Sequence, residues 1–206
     1  MADLPKTSDA DSSPESQIRA TGQDFNNIQA ETVSIQRGSA NEVHAKTVLI
    51  SQAGAGNVEA ETVELRQAGV QTVKGDHVTV RQGGIVQAKS ETLALTQGGV
   101  VFAETKEANL TASTVGAVLA SGAVSLDQSS VRAVFSRGDV SMDQSGSGVV
   151  LARKVTTGNN TGTILLIAGR VDGQVNSVFG PTASAAFGAA FAVVFALIIW
   201  LKGRQS

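Results

Sequence analysis

Apolar residues recur along this chain at a fixed step of fifteen positions. One column of branched residues is Val33, Val48, Val63, Val78 and Leu93. A second column, two places later, is Ile35, Ile50, Leu65, Val80, Leu95 and Leu110. Inside each unit these residues alternate with polar ones, as in Thr-Val-Ser-Ile-Gln at 32–36, which is the period of a β-strand. The pattern therefore predicts short strands in every unit of the repeat.

The same register continues toward both ends of the chain. Ile18 and Ala20 fall in the columns of Val33 and Ile35, so the first unit begins near Glu15. After residue 120 the step lengthens to sixteen, and Val124 aligns with Val140. The last unit is expected to be irregular, because a Gly-Asn-Asn-Thr-Gly loop at 158–162 precedes its apolar run. About ten units fit into this part of the chain.

A unit of fifteen residues is too short to bury an apolar face by itself. Units that stack in register bury one continuous core, because each contacts the unit before and the unit after it. The sequence therefore predicts an all-β protein, a single-stranded β-solenoid of about ten coils of 15–16 residues over residues 15–178. Ten coils about 4.8 Å apart give a rod roughly 48 Å long.

Polar columns on the outside are expected to support this stack. Stacked amides can hydrogen-bond from coil to coil, and the predicted ladder consists of Gln52, Gln67, Gln82 and Gln97. The glycines two places later are expected to hold the positive φ of each corner: Gly54, Gly69, Gly84 and Gly99. A column of mixed charge is predicted to form ion pairs between coils: Glu31, Lys46, Glu61, Asp76, Glu91 and Lys106.

The two ends of the chain differ from the repeat. Residues 1–14 are rich in Asp, Ser, Thr and Pro and are expected to form a disordered acidic tail. Residues 183–201 contain no charged side chain, which is long enough to cross a bilayer as a helix. We therefore predict a transmembrane helix over 181–202, followed by a short tail at 203–206. Because residues 1–14 do not resemble a secretory signal, we expect a single-pass protein of the cell membrane with its solenoid on the cytoplasmic side.

The predicted helix carries two different faces. Small residues at steps of four favour close packing between membrane helices: Ser184, Gly188, Ala192 and Ala196. An aromatic stripe is expected to face lipid or a neighbouring helix: Phe187, Phe191, Phe195 and Trp200. The small-residue face predicts a homo-oligomer.

Composition limits the chemistry that this chain can perform. Only 17% of the 206 residues are charged and the net charge is −2, which argues against nucleic-acid binding. The absence of cysteine excludes disulfides and thiolate sites, and the two histidines do not form a metal-ligand motif. No cofactor motif is present, so we expect a protein without catalytic activity or cofactor. An enzyme would require a pocket near Gly158, built from residues such as Arg153, Lys154 and Asp172.

Two resemblances follow from the repeat. The Gln-Gly-Gly-Ile run at 82–85 and the Gln-Gly-Gly-Val run at 97–100 resemble uncharacterised bacterial repeat proteins with a C-terminal membrane helix. More distantly, the stacked small and branched columns are similar to those of bactofilins, which are polymer-forming β-helical cytoskeletal proteins. Bactofilins reach membranes through their N-terminal tails, so the C-terminal helix is a departure from that family.

Two functions remain open on the sequence alone. The first is a scaffold or self-assembly module, whose rod stands on the lipid bilayer. The second is a membrane-tethered binding module, whose ladder faces recognise a protein or polysaccharide partner.

Overall fold

A computed structural model describes residues 17–22, 24–173 and 176–177 of the chain. Every regular element in these residues is a β-strand, and the strands are β1 (Gln17–Thr21), β2 (Asp24–Gln29), β3 (Thr32–Gln36), β4 (Ser39–Ser51), β5 (Gly54–Arg66), β6 (Gly69–Arg81), β7 (Gly84–Thr96), β8 (Gly99–Thr111), β9 (Thr114–Ala120), β10 (Val124–Asp127), β11 (Ser130–Ser136), β12 (Asp139–Asp143), β13 (Gly146–Thr157), β14 (Gly162–Gly173) and β15 (Asn176–Ser177). This part of the chain contains no helix long and apolar enough to cross a membrane. The predicted span at 181–202 and the tails at 1–14 and 203–206 lie outside the described residues.

All fifteen strands belong to one parallel sheet that winds around itself. Val33 pairs with Val48 and Ile35 with Ile50, one full step of the repeat apart. The step of sixteen is also confirmed, because Val124 pairs with Val140. These pairings establish a β-solenoid of about ten coils.

The predicted apolar columns form the interior of the rod. Val33, Ile35, Val48, Ile50 and their equivalents in later coils are buried and belong to one continuous core. The interior contains branched aliphatic side chains and few aromatic ones, because the cross-section of one coil has room for only a few side chains. Each coil therefore depends on the coils directly above and below it for most of its buried contacts.

The corners of the coils differ from the prediction in one respect. Among the described residues, the glycines with positive φ are Gly22 and Gly173, so the expectation for Gly54, Gly69, Gly84 and Gly99 is wrong. The positive φ falls instead on the residue two places earlier, with values of 45° to 56°: Arg37, Gln52, Gln67, Gln82, Gln97, Ala112, Gln128, Gln144 and Asn160. The corners from Arg37 to Gln144 also make a backbone hydrogen bond to the next coil, such as Gln82 N to Thr96 O at 3.0 Å. These bonds and the side-chain ladder offset the cost of the left-handed conformation.

The last coil is more regular than expected. Asn160 has a φ of 52° and occupies the same corner as Gln144, and β14 pairs with β13 along nearly its whole length. The glycine- and asparagine-rich loop at 158–162 is therefore another corner of the solenoid.

Candidate functional site

The glutamine ladder is present on one corner of the rod. The Nε2 of Gln52 donates to Oε1 of Gln67, Gln67 donates to Gln82, and Gln82 donates to Gln97, each at 3.2 Å. All three hydrogen bonds therefore run in the same direction along the rod. Because these side-chain amides bond to their equivalents in neighbouring coils, the ladder stabilises the stack.

Substitution of Gln82 separates the energy of the ladder from the strain of its corner. We expect Gln82→Ala to lower the free energy of unfolding by about 1 kcal/mol. The substitution removes two exposed hydrogen bonds between side-chain amides, while the φ of residue 82 stays positive. Gln82→Gly should recover about 1 kcal/mol of that loss, because glycine adopts this conformation without strain. Urea unfolding of the two variants measures the difference. Equal destabilisation by both would contradict the observed φ of Gln82.

A second side of the rod, called here the groove face, carries charged side chains in two parallel columns. The inner column in the first half of the rod is His44, Glu59, Lys74, Lys89 and Glu104, which pair in register. The outer column is the mixed-charge column predicted from the sequence. Small residues lie between the two columns, and they leave a groove of about 1030 Å³ along the rod. The floor includes Ala45, Ala60, Gly75, Ser90, Thr105 and Ala120.

The charged side chains along the groove pair with one another between coils. Lys46 Nζ lies 2.7 Å from Glu31 Oε1, and Lys89 Nζ lies 3.2 Å from Glu104 Oε1. Lys106 forms the same contact with Glu91. The hydrogen bond and the charge of Glu31 raise the pKa of Lys46 above its usual range, while those of Lys106 lower the pKa of Glu91. These ion pairs neutralise much of the charge on the walls of the groove.

The residues considered for an enzyme site lie close together near the C-terminal end of the rod. Lys154 Nζ is 2.9 Å from Asp172 Oδ2, and Arg170 Nε is 3.1 Å from Asp172 Oδ1. Hydrogen bonds from Lys154 and then Arg170 lower the pKa of Asp172. Arg153 lies 3.7 Å from Asp139 instead. A carboxylate held between two cations is a poor general acid or base at neutral pH, so this cluster is suited to an ion-pair role.

Beyond Glu104 the inner column of the groove face changes from charged to apolar. Glu104 pairs with Leu119, and the column continues through Phe135, Leu151 and Ile167. These four side chains, called here the apolar column, are 40% to 52% exposed. They are supported two places earlier by a second column of Ala117, Ala133, Val149 and Leu165. The groove face is therefore charged in the first half of the rod and apolar in the second.

Two features of the rod, the apolar column and a column of buried hydroxyl groups, repeat in the sequence but are missed by an analysis of polar and apolar alternation. The apolar column repeats at steps of sixteen from Leu119 to Ile167. Its members stand beside inward residues, as in Val149-Val150-Leu151, so alternation alone does not show which side they face. A buried hydroxyl column is the other feature, and it consists of Ser113, Ser129, Ser145 and Thr161. Polar residues at that position suggest exposure, yet Ser129 Oγ bonds to the carbonyl oxygens of Leu110 and Asp127 at 3.1 and 2.8 Å.

The predicted site residues of the membrane helix, from Ser184 to Trp200, lie outside the described residues. The packing of the small-residue face and the location of the aromatic stripe stay predictions. The chain matches no protein-family model, and neither a curated protein nor a solved structure is significantly similar to it. The two family resemblances inferred from the repeat gain no support from these comparisons.

Proposed function

We propose that this protein is a non-catalytic β-solenoid, attached to a membrane by residues 181–202, that serves as a scaffold for assembly. The observation that carries the proposal is that its polar side chains bond to one another between coils. The glutamine ladder and the ion pairs of the groove face bond between coils of the same chain. They maintain the length and stiffness of a rod, which is the property that a scaffold requires.

The ends of the rod offer a means of self-assembly. Among the described residues, β1 pairs only with β3, so one edge of the first coil has no strand beside it. An unpaired strand edge is a template for another chain unless it is covered. The predicted small-residue face of the membrane helix, Ser184 to Ala196, is a second means of association.

Sedimentation and electron microscopy test the scaffold function directly. The full chain in detergent micelles is compared with a chain that ends at residue 178. We expect defined oligomers or filaments of the full chain, and their persistence after truncation would assign assembly to the rod. Loss of the oligomers on truncation would assign assembly to the membrane segment. A monomeric full chain would contradict the scaffold function.

The groove supports a second candidate function, a membrane-tethered module that binds a protein or polysaccharide. Its walls are charged, and its floor of small residues leaves room for an extended chain along the rod. This function predicts a monomeric rod that retains a ligand. Replacement of Ser90 on the floor by a larger residue should then prevent binding without removing any charge.

A further inference from the structure

The exposed apolar side chains of the last coils form one continuous patch on the groove face. Each of its largest members is 40% to 52% exposed: Leu119, Phe135, Leu151, Leu165 and Ile167. The same face in earlier coils carries charged residues at the equivalent positions, such as Lys74 and Lys89. A contiguous apolar patch of several hundred Å² on a protein surface marks an interaction site.

The charges that flank this patch are positive. Past Lys106, Ser121 and Arg137 follow at the outer edge of the groove. Arg153 and Gly169 follow in the next coils, so the charged residues here are two arginines. Arg132 is exposed at the bend on the other side of the patch, directly before Ala133. Asp139 lies 3.7 Å from Arg153, and such an exposed pair is weak. Two arginines therefore lie along one edge of the patch, and one arginine lies at the other.

This charge distribution disfavours a second copy of the chain as the occupant. A two-fold axis parallel to the rod would place the Arg132 edge of one copy against the Arg137 and Arg153 edge of the other. A two-fold axis across the rod would place each edge against itself. The two copies could also slide along the rod until the arginines of one copy meet Asp76 and Glu91 of the other. The apolar column of the first copy would then cover Lys74 and Lys89 of the second. Each arrangement opposes like charges or buries charge against apolar surface.

An anionic membrane surface satisfies both properties of the patch. Apolar side chains on a flat face can enter the boundary between headgroups and acyl chains. Each flanking lysine or arginine near an anionic surface adds about 1 kcal/mol of attraction. The headgroup phosphates supply the negative charge that a second copy lacks at this position.

The connection to the predicted membrane span makes this contact reachable. Ser177 pairs in register with Thr163 on the last coil, and three residues separate it from residue 181. Four Cα steps of about 3.8 Å extend roughly 15 Å, so the last coil stays close to the bilayer. The apolar column extends over four coils, or about 14 Å. A tilt of the rod is enough to bring the column onto the membrane.

We infer that the apolar column and its flanking arginines lie on the surface of an anionic lipid bilayer, so that the rod rests along the membrane instead of standing upright. This inference rests on the membrane attachment proposed above. The charged half of the groove face lies on the same side of the rod but farther from the anchor.

Single fluorescent labels test the inference in the full chain, which contains no cysteine of its own. Leu151→Cys places a label in the apolar column. Thr156→Cys places the matched control in the same strand, β13, beyond the bend at Arg153 and Lys154. Both proteins are reconstituted into phosphatidylcholine vesicles with or without phosphatidylglycerol, and nitroxide lipids serve as quenchers. We expect strong quenching at position 151 and weak quenching at position 156 on the anionic vesicles.

The arginines provide a second measurement. Replacement of Arg137 and Arg153 by Gln should shift the rod toward the upright state by about fivefold per arginine, which corresponds to about 1 kcal/mol each. The matched control replaces Arg37 and Arg81, which lie outside the groove face, and it should leave the quenching at position 151 unchanged. Equal effects of the two double variants would overturn the role of Arg137 and Arg153.

Flotation with vesicles after an alkaline wash separates this inference from the proposed membrane attachment. A chain that floats but shows equal quenching at positions 151 and 156 stands upright, which overturns the inference and keeps the attachment. A chain removed by the wash, yet quenched at position 151 on anionic vesicles before it, keeps the membrane contact and overturns the span. A chain that neither floats nor shows quenching contradicts both.

Discussion

Replacement of Leu95 by Ala should destabilise the protein by about 2–5 kcal/mol. Leu95 is 1% exposed and stacks between Val80 and Leu110 in the middle of the rod. The core is narrow, so few neighbouring side chains can move in to fill the cavity. The backbone bonds to the coils on both sides also hold the site open.

The position of Leu95 in the middle of the rod determines how the loss of stability changes the unfolding curve. A solenoid is stabilised by contacts between successive coils, so a weak coil in the middle uncouples the two halves. We expect a lower midpoint and a shallower slope in urea unfolding of the full chain, followed by far-ultraviolet circular dichroism in detergent micelles. Leu119→Ala is the matched control, because Leu119 is 42% exposed in the apolar column. Comparable destabilisation by both substitutions would contradict the assignment of inward and outward columns.

The columns of this rod are predictable because stacking forces equivalent residues into contact. Val33 and Val48 must satisfy the same interior, and Gln67 and Gln82 must reach each other across one coil spacing. A repeat with these constraints carries its register in the sequence. Fifteen-residue periodicity was therefore sufficient to predict the β-solenoid, its step and its glutamine ladder.

The direction of individual side chains and the backbone of the corners are less predictable. Gly84 resembles a corner residue, but positive φ falls on Gln82, where a side chain that bonds between coils offsets the cost of the conformation. Ser129 is polar yet buried, because its hydroxyl donates to carbonyl oxygens inside the corner. Leu151 is apolar yet exposed, and the sequence does not show what covers it. Each of these differences arises from a local balance between a side chain and its partners.

Gly75 provides a strong test of such a local effect. The sequence places it in a column of small residues with Ala60 and Ser90, so alanine appears interchangeable there. In the structure, Ala45 pairs with Ala60, and Gly75 pairs with Ser90. The pairing between β5 and β6 does not include Ala60 and Gly75. A Cβ on Gly75 would overlap the backbone carbonyl oxygen of Ala60. A side chain at position 75 therefore conflicts with the backbone of the preceding coil.

Gly75→Ala should therefore lower the free energy of unfolding by about 2 kcal/mol, because either β5 or β6 must shift to admit the methyl group. Gly69→Ala in the same strand is the matched control. A Cβ on Gly69 would meet no atom within 4 Å, and its φ is not in the positive range, so this change should be neutral or stabilise by about 0.5 kcal/mol. Urea unfolding of both variants measures the difference. A neutral Gly75→Ala would show that β5 and β6 separate here without cost, and it would make the small-residue column as interchangeable as its sequence suggests.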